Sequence, residues 1–243
     1  MIIEFTGIPG SGKTNLHKSL ENNLRRKGCC VWTPSQHWQS MELQQQTNKS
    51  RRFLSVTRKA TTLVKPAINN IHFILSVPWI QALNGLSFKY KKLIAKSFLI
   101  NLAELEFAKL VRKEKVVALM DEGIVHRAYS LFVSLNNEIN YKALERYALM
   151  VNLPDLLVYV KLNVKRALQQ IMARGVPSRM TGLSYSQSEH MLVKGEQLLE
   201  TLIQFIRQRR PNSCVIVEVD GALKDKSVQS ISDWITEVAE PYR

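Results

Sequence analysis

Short apolar runs alternate with longer amphipathic stretches along most of the chain. The apolar runs are rich in β-prone residues and predict strands at 2–6, 29–33, 116–120, 156–162 and 215–219. Between them, apolar positions recur every three or four residues, which is typical of helices. The predicted helices cover 15–27, 88–112, 126–135, a segment from about 141 to before Pro154, 164–173, 189–209 and 228–240. This alternation predicts a three-layer α/β/α fold with a five-stranded parallel sheet.

Two of these segments carry particular expectations about burial. The run 116–120 is apolar at every position, as expected for a central parallel strand that helices cover on both faces. The long segment 88–112 predicts one amphipathic helix whose buried side chains are Leu93, Phe98, Leu102, Leu105 and Leu110. Cys29 and Cys30 fall in the second apolar run, where cysteine behaves as a small apolar residue.

The first strand leads directly into the glycine-rich sequence G-I-P-G-S-G-K-T and then into a helix. Strand, glycine loop and helix form the context of a phosphate-binding loop, in which backbone N–H groups surround an anion. The lysine then contacts the outer phosphates of a nucleotide, and the hydroxyl of the following residue binds Mg²⁺. The predicted nucleotide-binding residues are Gly7, Ile8, Pro9, Gly10, Ser11, Gly12, Lys13 and Thr14.

Two acids follow the predicted central strand. Asp121 stands at the strand end, where an acid can hold Mg²⁺, although aspartate is also a common helix N-cap. Glu122 comes next and can accept a proton from a hydroxyl acceptor or align it. A first-turn acid that interacts with the helix dipole is the alternative for Glu122. The predicted metal ligands are therefore Thr14 and Asp121.

Several basic residues are candidates for contact with anionic groups. Arg127 lies in the first turn of the helix that follows the two acids and can neutralise an anionic substrate. Arg174 and Arg179 flank a Gly-Val-Pro-Ser break. Guanidinium groups on such a segment can close over a transferring phosphoryl group, or they can simply be solvated in a turn. His126 is more often a structural residue than a catalyst in such a position.

Four stretches resemble the thymidylate kinase and nucleoside monophosphate kinase group of P-loop kinases. They are the loop with its helix to Gly28, V-V-A-L-M-D-E-G, the segment from Pro154 to Gly175, and V-I-V-E-V-D-G. The resemblance implies ATP and Mg²⁺ as cofactors, a lid with Arg174 and Arg179, and an adenine-facing loop at Gly221 and Ala222. It implies a single domain over 1–243, with a helical acceptor-side insertion at 34–110 and the lid at 174–187.

The acceptor region departs from this family. Thymidylate kinases have Asp-Arg and an aromatic residue after the central strand, whereas this chain has Asp121-Glu122-Gly123. They have Glu-Pro-Gly after the second strand, whereas this chain has Thr33-Pro34-Ser35. Replacing a phosphate-binding arginine with a carboxylate suits a hydroxyl acceptor better than a phosphate acceptor. A thymidylate substrate is therefore not expected.

The charge distribution is one-sided. The formal net charge is +14, and residues 43–103 contain ten Lys and Arg residues but no Asp or Glu. We expect this segment to form an acceptor platform for an anionic substrate, of small-molecule, glycan or lipid-linked type. Its uncharged centre, 66–88, can rest on an anionic membrane surface or form a buried helical hairpin. A membrane span is not expected, because Asn, His, Pro and Gln interrupt the stretch.

A second class of function is compatible with the same residues. The chain can be a non-kinase P-loop NTPase or a nucleotide-gated module whose basic arm binds nucleic acid, although no recognised nucleic-acid motif accompanies the charge. The three cysteines lack metal-ligand spacing and suggest no disulfide framework. The expected location is the cytoplasm, with the inner face of the membrane as a peripheral site. A homodimer is also compatible with the sequence.

Overall fold

The computed structural model describes residues 1–35, 70–76, 88–177, 179–222 and 224–238. At residues 89, 224 and 225 it describes only the backbone. Five strands form the sheet: β1 (Ile2–Thr6), β2 (Val31–Trp32), β3 (Val117–Met120), β4 (Leu156–Lys161) and β5 (Val215–Asp220). Their order is β2-β3-β1-β4-β5, and all neighbouring pairs are parallel. The predicted five-stranded parallel sheet is confirmed.

Seven helices accompany the strands in the described part of the chain. They are α1 (Lys13–Arg26), α2 (Phe88–Arg112), α3 (Arg127–Phe132), α4 (Tyr141–Met150), α5 (Val164–Arg174), α6 (Tyr185–Arg209) and α7 (Lys224–Val238). A further short helical segment covers 71–76. Because β1, β3 and β4 meet in parallel at the centre, their carboxyl ends share one edge of the sheet, which is where the candidate site lies.

Alternating strand residues divide the core between two helical layers. On one face, Leu119, Phe5 and Val158 pack with the buried residues of α1 and α7. On the other face, Met120 and Tyr159 pack with α2 to α6. Because successive strand side chains point to opposite faces, each strand supplies both layers. The predicted three-layer arrangement is confirmed.

Some helix boundaries differ from the predicted ones for local reasons. Helix α6 begins four residues earlier than predicted because Ser184 accepts from Gln187 N while Gln187 Oε1 accepts from Ser184 N, which forms a capping box. Helix α3 has only six residues and ends at Phe132. The prediction that both cysteines lie in a strand is wrong, since β2 begins at Val31 and Cys30 is exposed.

The burial pattern of α2 corrects two predicted core positions. Leu93 and Leu110 are 54% and 56% exposed, whereas Phe98, Leu102 and Leu105 are buried as predicted. Ile94 and Ala108 are buried instead. Successive residues of a helix are rotated by about 100° around its axis. The helix face that carries Phe98, Leu102 and Leu105 therefore also carries Ile94 and Ala108.

The uncharged stretch 66–88 is described only in part, at 70–76 and 88. Within it, Phe73 is 4% exposed and its ring centroid lies 4.9 Å from that of Phe98. Leu75 is 62% exposed. The remainder of the predicted basic platform at 43–103, apart from α2, lies outside the described residues and stays a prediction. Among the described helices, none is long and apolar enough to cross a bilayer.

Candidate functional site

The glycine loop between β1 and α1 is held in a conformation that requires glycine. Gly10 and Gly12 have φ values of 83° and 94°, and Gly12 is the N-cap of α1. A Cβ on Gly10 would overlap the carbonyl oxygen of Ala167 in α5. The loop therefore fits closely against α5 and leads into the positive end of the α1 dipole, as anion binding requires.

Lys13 folds back over this loop. Its Nζ donates to Gly7 O at 2.9 Å and to Ile8 O at 3.1 Å, and it lies 3.5 Å from Glu122 Oε1. Burial lowers the pKa of Lys13, while the carboxylates of Glu122 and Asp121 act in the opposite direction. The ammonium group is thus already positioned inside the loop, with a carboxylate as its ionic partner.

Thr14 and Asp121 meet as the sequence predicts. Thr14 Oγ1 donates to Asp121 Oδ2 at 2.9 Å, and Asp121 Oδ1 is buried without a hydrogen-bond partner among the described residues. A buried carboxylate oxygen without a partner, next to a threonine hydroxyl, fits a hard cation such as Mg²⁺. The described part of the chain contains no cluster of three or more His, Cys, Asp or Glu, so water and phosphate oxygens would complete the coordination.

Glu122 is ionised and lies between Lys13 and His126. Its Oε1 is 3.3 Å from His126 Nε2. Burial would raise the pKa of Glu122, but the positive charges of protonated His126, Lys13 and Arg127 outweigh it and lower the pKa to about 2. Burial also lowers the pKa of His126 to about 3, so that the histidine is neutral and the lasting positive charges near Glu122 are those of Lys13 and Arg127.

His126 has a structural environment, as expected. Its Nδ1 lies 3.2 Å from Thr6 Oγ1, and its ring stacks on Tyr129 with centroids 6.0 Å apart. The side chain is buried. These contacts fix the ring against β1 and α3 and turn Nε2 toward Glu122.

Arg127 is oriented by residues of α2 that the sequence analysis did not identify. Arg127 Nε donates to Asn101 Oδ1. Asn101 Nδ2 in turn donates to Glu104 Oε2 at 2.8 Å and to Glu122 O at 3.0 Å. Asn101 is 4% exposed, and an uncharged polar residue among the buried positions of an apolar helix face was the signal for it. The network connects α2 to the loop that carries Glu122.

The two predicted lid arginines have different environments. Arg174 is exposed at the end of α5 and lines a cavity with Lys13. Arg179 donates to Tyr129 O at 3.1 Å and to Val133 O. Its guanidinium also lies 5.6 Å from the centroid of Tyr90 and 5.3 Å from that of Tyr129. Arg179 therefore stabilises the end of α3, and Arg174 is the more accessible of the two.

Two cavities meet at these residues. The larger has a volume of about 500 Å³, and the described residues that line it come from α1, the end of β2, α2 and the end of β3. The smaller has a volume of about 270 Å³ and is lined by the glycine loop, α3 and the arginines. Both include Thr14 and Glu122. Glu122 thus lies where the two cavities join, with the phosphate loop on one side.

Gly221 and Ala222 lie beside the glycine loop. Gly221 N donates to Lys161 O at 2.7 Å, and a Cβ on Gly221 would overlap Ser11 O. Ala222 N donates to Asp220 Oδ1 at 2.8 Å. Neither residue is among the described residues that line the two cavities. Their contact with an adenine ring stays a prediction.

Comparisons with known proteins add a resemblance of overall structure. No family model matches the sequence, and no curated protein matches it. Two solved structures of deoxyadenosine kinase from M. mycoides align with it, one with dCMP and a flexible dCDP bound and one with dATP bound. Their TM-scores are 0.47 and 0.46 at 13% and 14% identity, and they cover 98% and 97% of this chain and 100% and 99% of their own. At this similarity only the chain's own site can define its chemistry.

Proposed function

We propose that the protein is an ATP-dependent kinase that transfers the γ-phosphoryl group to a hydroxyl acceptor. The observation that supports this most directly is the meeting of Lys13, Thr14, Asp121 and Glu122 at the carboxyl ends of β1 and β3. Lys13 and Thr14 are neighbours, as are Asp121 and Glu122, but the two pairs lie far apart in the chain. The interval between Thr14 and Asp121 is 107 residues. Together they supply a phosphate cradle, a metal site and a carboxylate.

On the donor side, the loop N–H groups and Lys13 would bind the β- and γ-phosphates. Thr14 and Asp121 would hold Mg²⁺, which neutralises charge on the phosphate oxygens during transfer. Lys13 can reach the phosphates by a small rotation away from the carbonyl oxygens of Gly7 and Ile8. Arg174, which lines the smaller cavity together with Lys13, can approach the transferred group.

On the acceptor side, the charges of the larger cavity favour a hydroxyl over a phosphate. Its described lining contains four carboxylates, on Glu21, Glu104, Asp121 and Glu122, against two cations, Lys18 and Arg127. The guanidinium of Arg127 is already engaged by Asn101. An anionic acceptor group would meet more carboxylates than cations in this described lining, whereas a hydroxyl could donate a hydrogen bond to Glu122.

The wider acceptor predictions have no support from the described residues. No contact among the described residues of the site points to a glycan or a lipid-linked acceptor. An anionic group on a part of the acceptor that lies outside the cavity is compatible with binding by the basic segment 43–103.

The test is an ADP-release assay with ATP and Mg²⁺ over a panel of nucleosides and monosaccharides, each compared with its own monophosphate. We expect turnover with one or more hydroxyl acceptors, little with the monophosphates, and a loss of about 100-fold or more in Lys13→Ala, because the variant lacks the charge that stabilises the transferred group. A folded, fully active Lys13→Ala protein, or preference for monophosphates, would contradict the proposal. ADP release that no acceptor stimulates would favour the alternative NTPase.

A further inference from the structure

An acidic side chain lies in the first strand among the buried apolar side chains of Ile2, Ile3 and Phe5. Glu4 occupies the middle of β1 and is 1% exposed. Burying a carboxylate in an apolar core is costly, and burial raises the pKa of Glu4 to about 8 even though nearby N–H donors lower it. An aliphatic residue would suit the strand better, so the contacts of the carboxyl group need an explanation.

Among the described residues, the carboxyl group of Glu4 interacts with the backbone of one loop. His126 N donates to Glu4 Oε1 at 2.8 Å. The backbone N–H groups of Val125 and Ile124 also lower the pKa of the carboxyl group, although less than burial raises it. Glu4 therefore accepts a hydrogen bond from the residue that precedes α3 and interacts with the two N–H groups before it.

Two further contacts hold the same loop in place. A Cβ on Gly123 would overlap Glu4 Oε2, so the loop approaches as closely as glycine allows. On the other side, the Tyr147 hydroxyl of α4 donates to Ile124 O. The segment between Glu122 and Arg127 is thereby fixed in both its N–H and its C=O groups.

We propose that Glu4 is a positioning residue, which holds the loop 122–126 so that the Glu122 carboxylate and the Arg127 guanidinium face the acceptor cavity. This assignment rests on the proposed kinase function for its consequence in turnover, but the contacts themselves do not depend on it. Glu4 touches neither cavity among the residues that line them. It acts only through the backbone of the loop.

The chain offers a matched control in Asp155. Its carboxylate also accepts from a strand backbone, with Ile2 N donating to Oδ2 at 2.7 Å, but at the opposite end of β1 from the site. Asp155→Asn should lower thermal stability without changing turnover. Glu4→Gln keeps the shape and one carbonyl acceptor, and Glu4→Leu removes every acceptor.

The experiment measures kcat and KM for ATP, the Kd of a fluorescent ADP analogue, and backbone hydrogen exchange in the full chain. For Glu4→Gln we expect a folded protein with a nucleotide Kd within about twofold of wild type and a kcat lowered about tenfold to 100-fold, because small misplacements of a reacting group are costly. Glu4→Leu, if it folds, should lose more. The amides of residues 124–126 should exchange at least about tenfold faster in Glu4→Gln than in Asp155→Asn, since local opening becomes easier.

The outcomes separate the two proposals. A folded Glu4→Gln protein with wild-type kcat would overturn the positioning role, as would equal losses of kcat and nucleotide affinity, which indicate a general structural effect. If the wild type transfers no phosphoryl group to any acceptor, the proposed function fails. The exchange of residues 124–126 then decides the role of Glu4 alone: unchanged exchange overturns it, and faster exchange supports it.

Discussion

Replacement of Glu122 by Gln should separate catalysis from nucleotide binding. Glu122 Oε1 lies 3.5 Å from Lys13 Nζ, and the side chains are 42% and 5% exposed. Two unit charges at this distance attract by about 5 kcal/mol at an effective dielectric constant of 20 and about 1 kcal/mol in bulk water. The exposure of Glu122 places the pair near the lower value, about 1 kcal/mol.

This pair competes with the phosphates for Lys13. Glu122→Gln should therefore bind ATP up to about fivefold more tightly, because 1.4 kcal/mol corresponds to a factor of ten. The same variant loses the carboxylate that accepts the acceptor proton, and kcat should fall about 100-fold or more. Tighter binding together with slower turnover is an outcome that a merely unfolded or misfolded variant cannot produce.

The assay combines titration of a fluorescent ATP analogue with steady-state kinetics on an acceptor that the wild type uses. Glu21→Gln is the control, because Glu21 lines the same cavity but forms its ion pair with Arg25 at 3.0 Å and not with Lys13. That variant should keep kcat and ATP affinity close to wild type. If Glu122→Gln retains wild-type kcat, Glu122 has no role in phosphoryl transfer.

Two further predictions concern the metal site and the effect of acid on stability. Asp121→Asn should raise the Mg²⁺ concentration needed for half-maximal activity by about tenfold or more, because an amide oxygen replaces the carboxylate that lies beside the Thr14 hydroxyl. An unchanged Mg²⁺ requirement would contradict the site. The folded-state pKa of His126, about 3, lies below its ordinary value of 6.5. Between these two pH values the imidazole binds a proton in the unfolded chain but not in the folded one. The free energy of unfolding therefore decreases as pH falls from 6.5 toward 3. Thermal unfolding between pH 7 and 5 should therefore show a smaller loss of Tm in His126→Gln than in wild type, and equal losses would show that the buried ring does not contribute.

The type and order of the elements could be predicted from the sequence because strands and helices have different patterns of apolar residues. The strand runs are mostly apolar, and the helices carry apolar residues at three- and four-residue spacing, so element type and order follow from local sequence. Boundaries were less accessible, as the early start of α6 at its capping box shows. The outward direction of Leu93 and Leu110 depended on the register of α2 against the sheet, which only packing fixes.

The site was accessible in part for a related reason. The phosphate loop is a continuous motif, so Lys13 and Thr14 could be assigned from neighbouring residues alone, and Asp121 followed from its place at a strand end. Asn101 and Glu4 could not be assigned in this way. Each is a single polar residue in an apolar segment, and the partners of both lie across long intervals of chain, 122 residues for the bond between Glu4 and His126.

By itself, the sequence determined the parallel α/β fold and the glycine-rich loop between β1 and α1, because both depend on local patterns of side-chain size and polarity. Only the tertiary structure determines which charged and polar groups lie close to Glu122. The parallel sheet places the ends of β1 and β3 side by side. The neighbouring positive charges then lower the pKa of Glu122, whereas burial lowers the pKa of His126. Local sequence contains neither of these effects, because a pKa depends on distance and burial, and both are set only when the chain has folded.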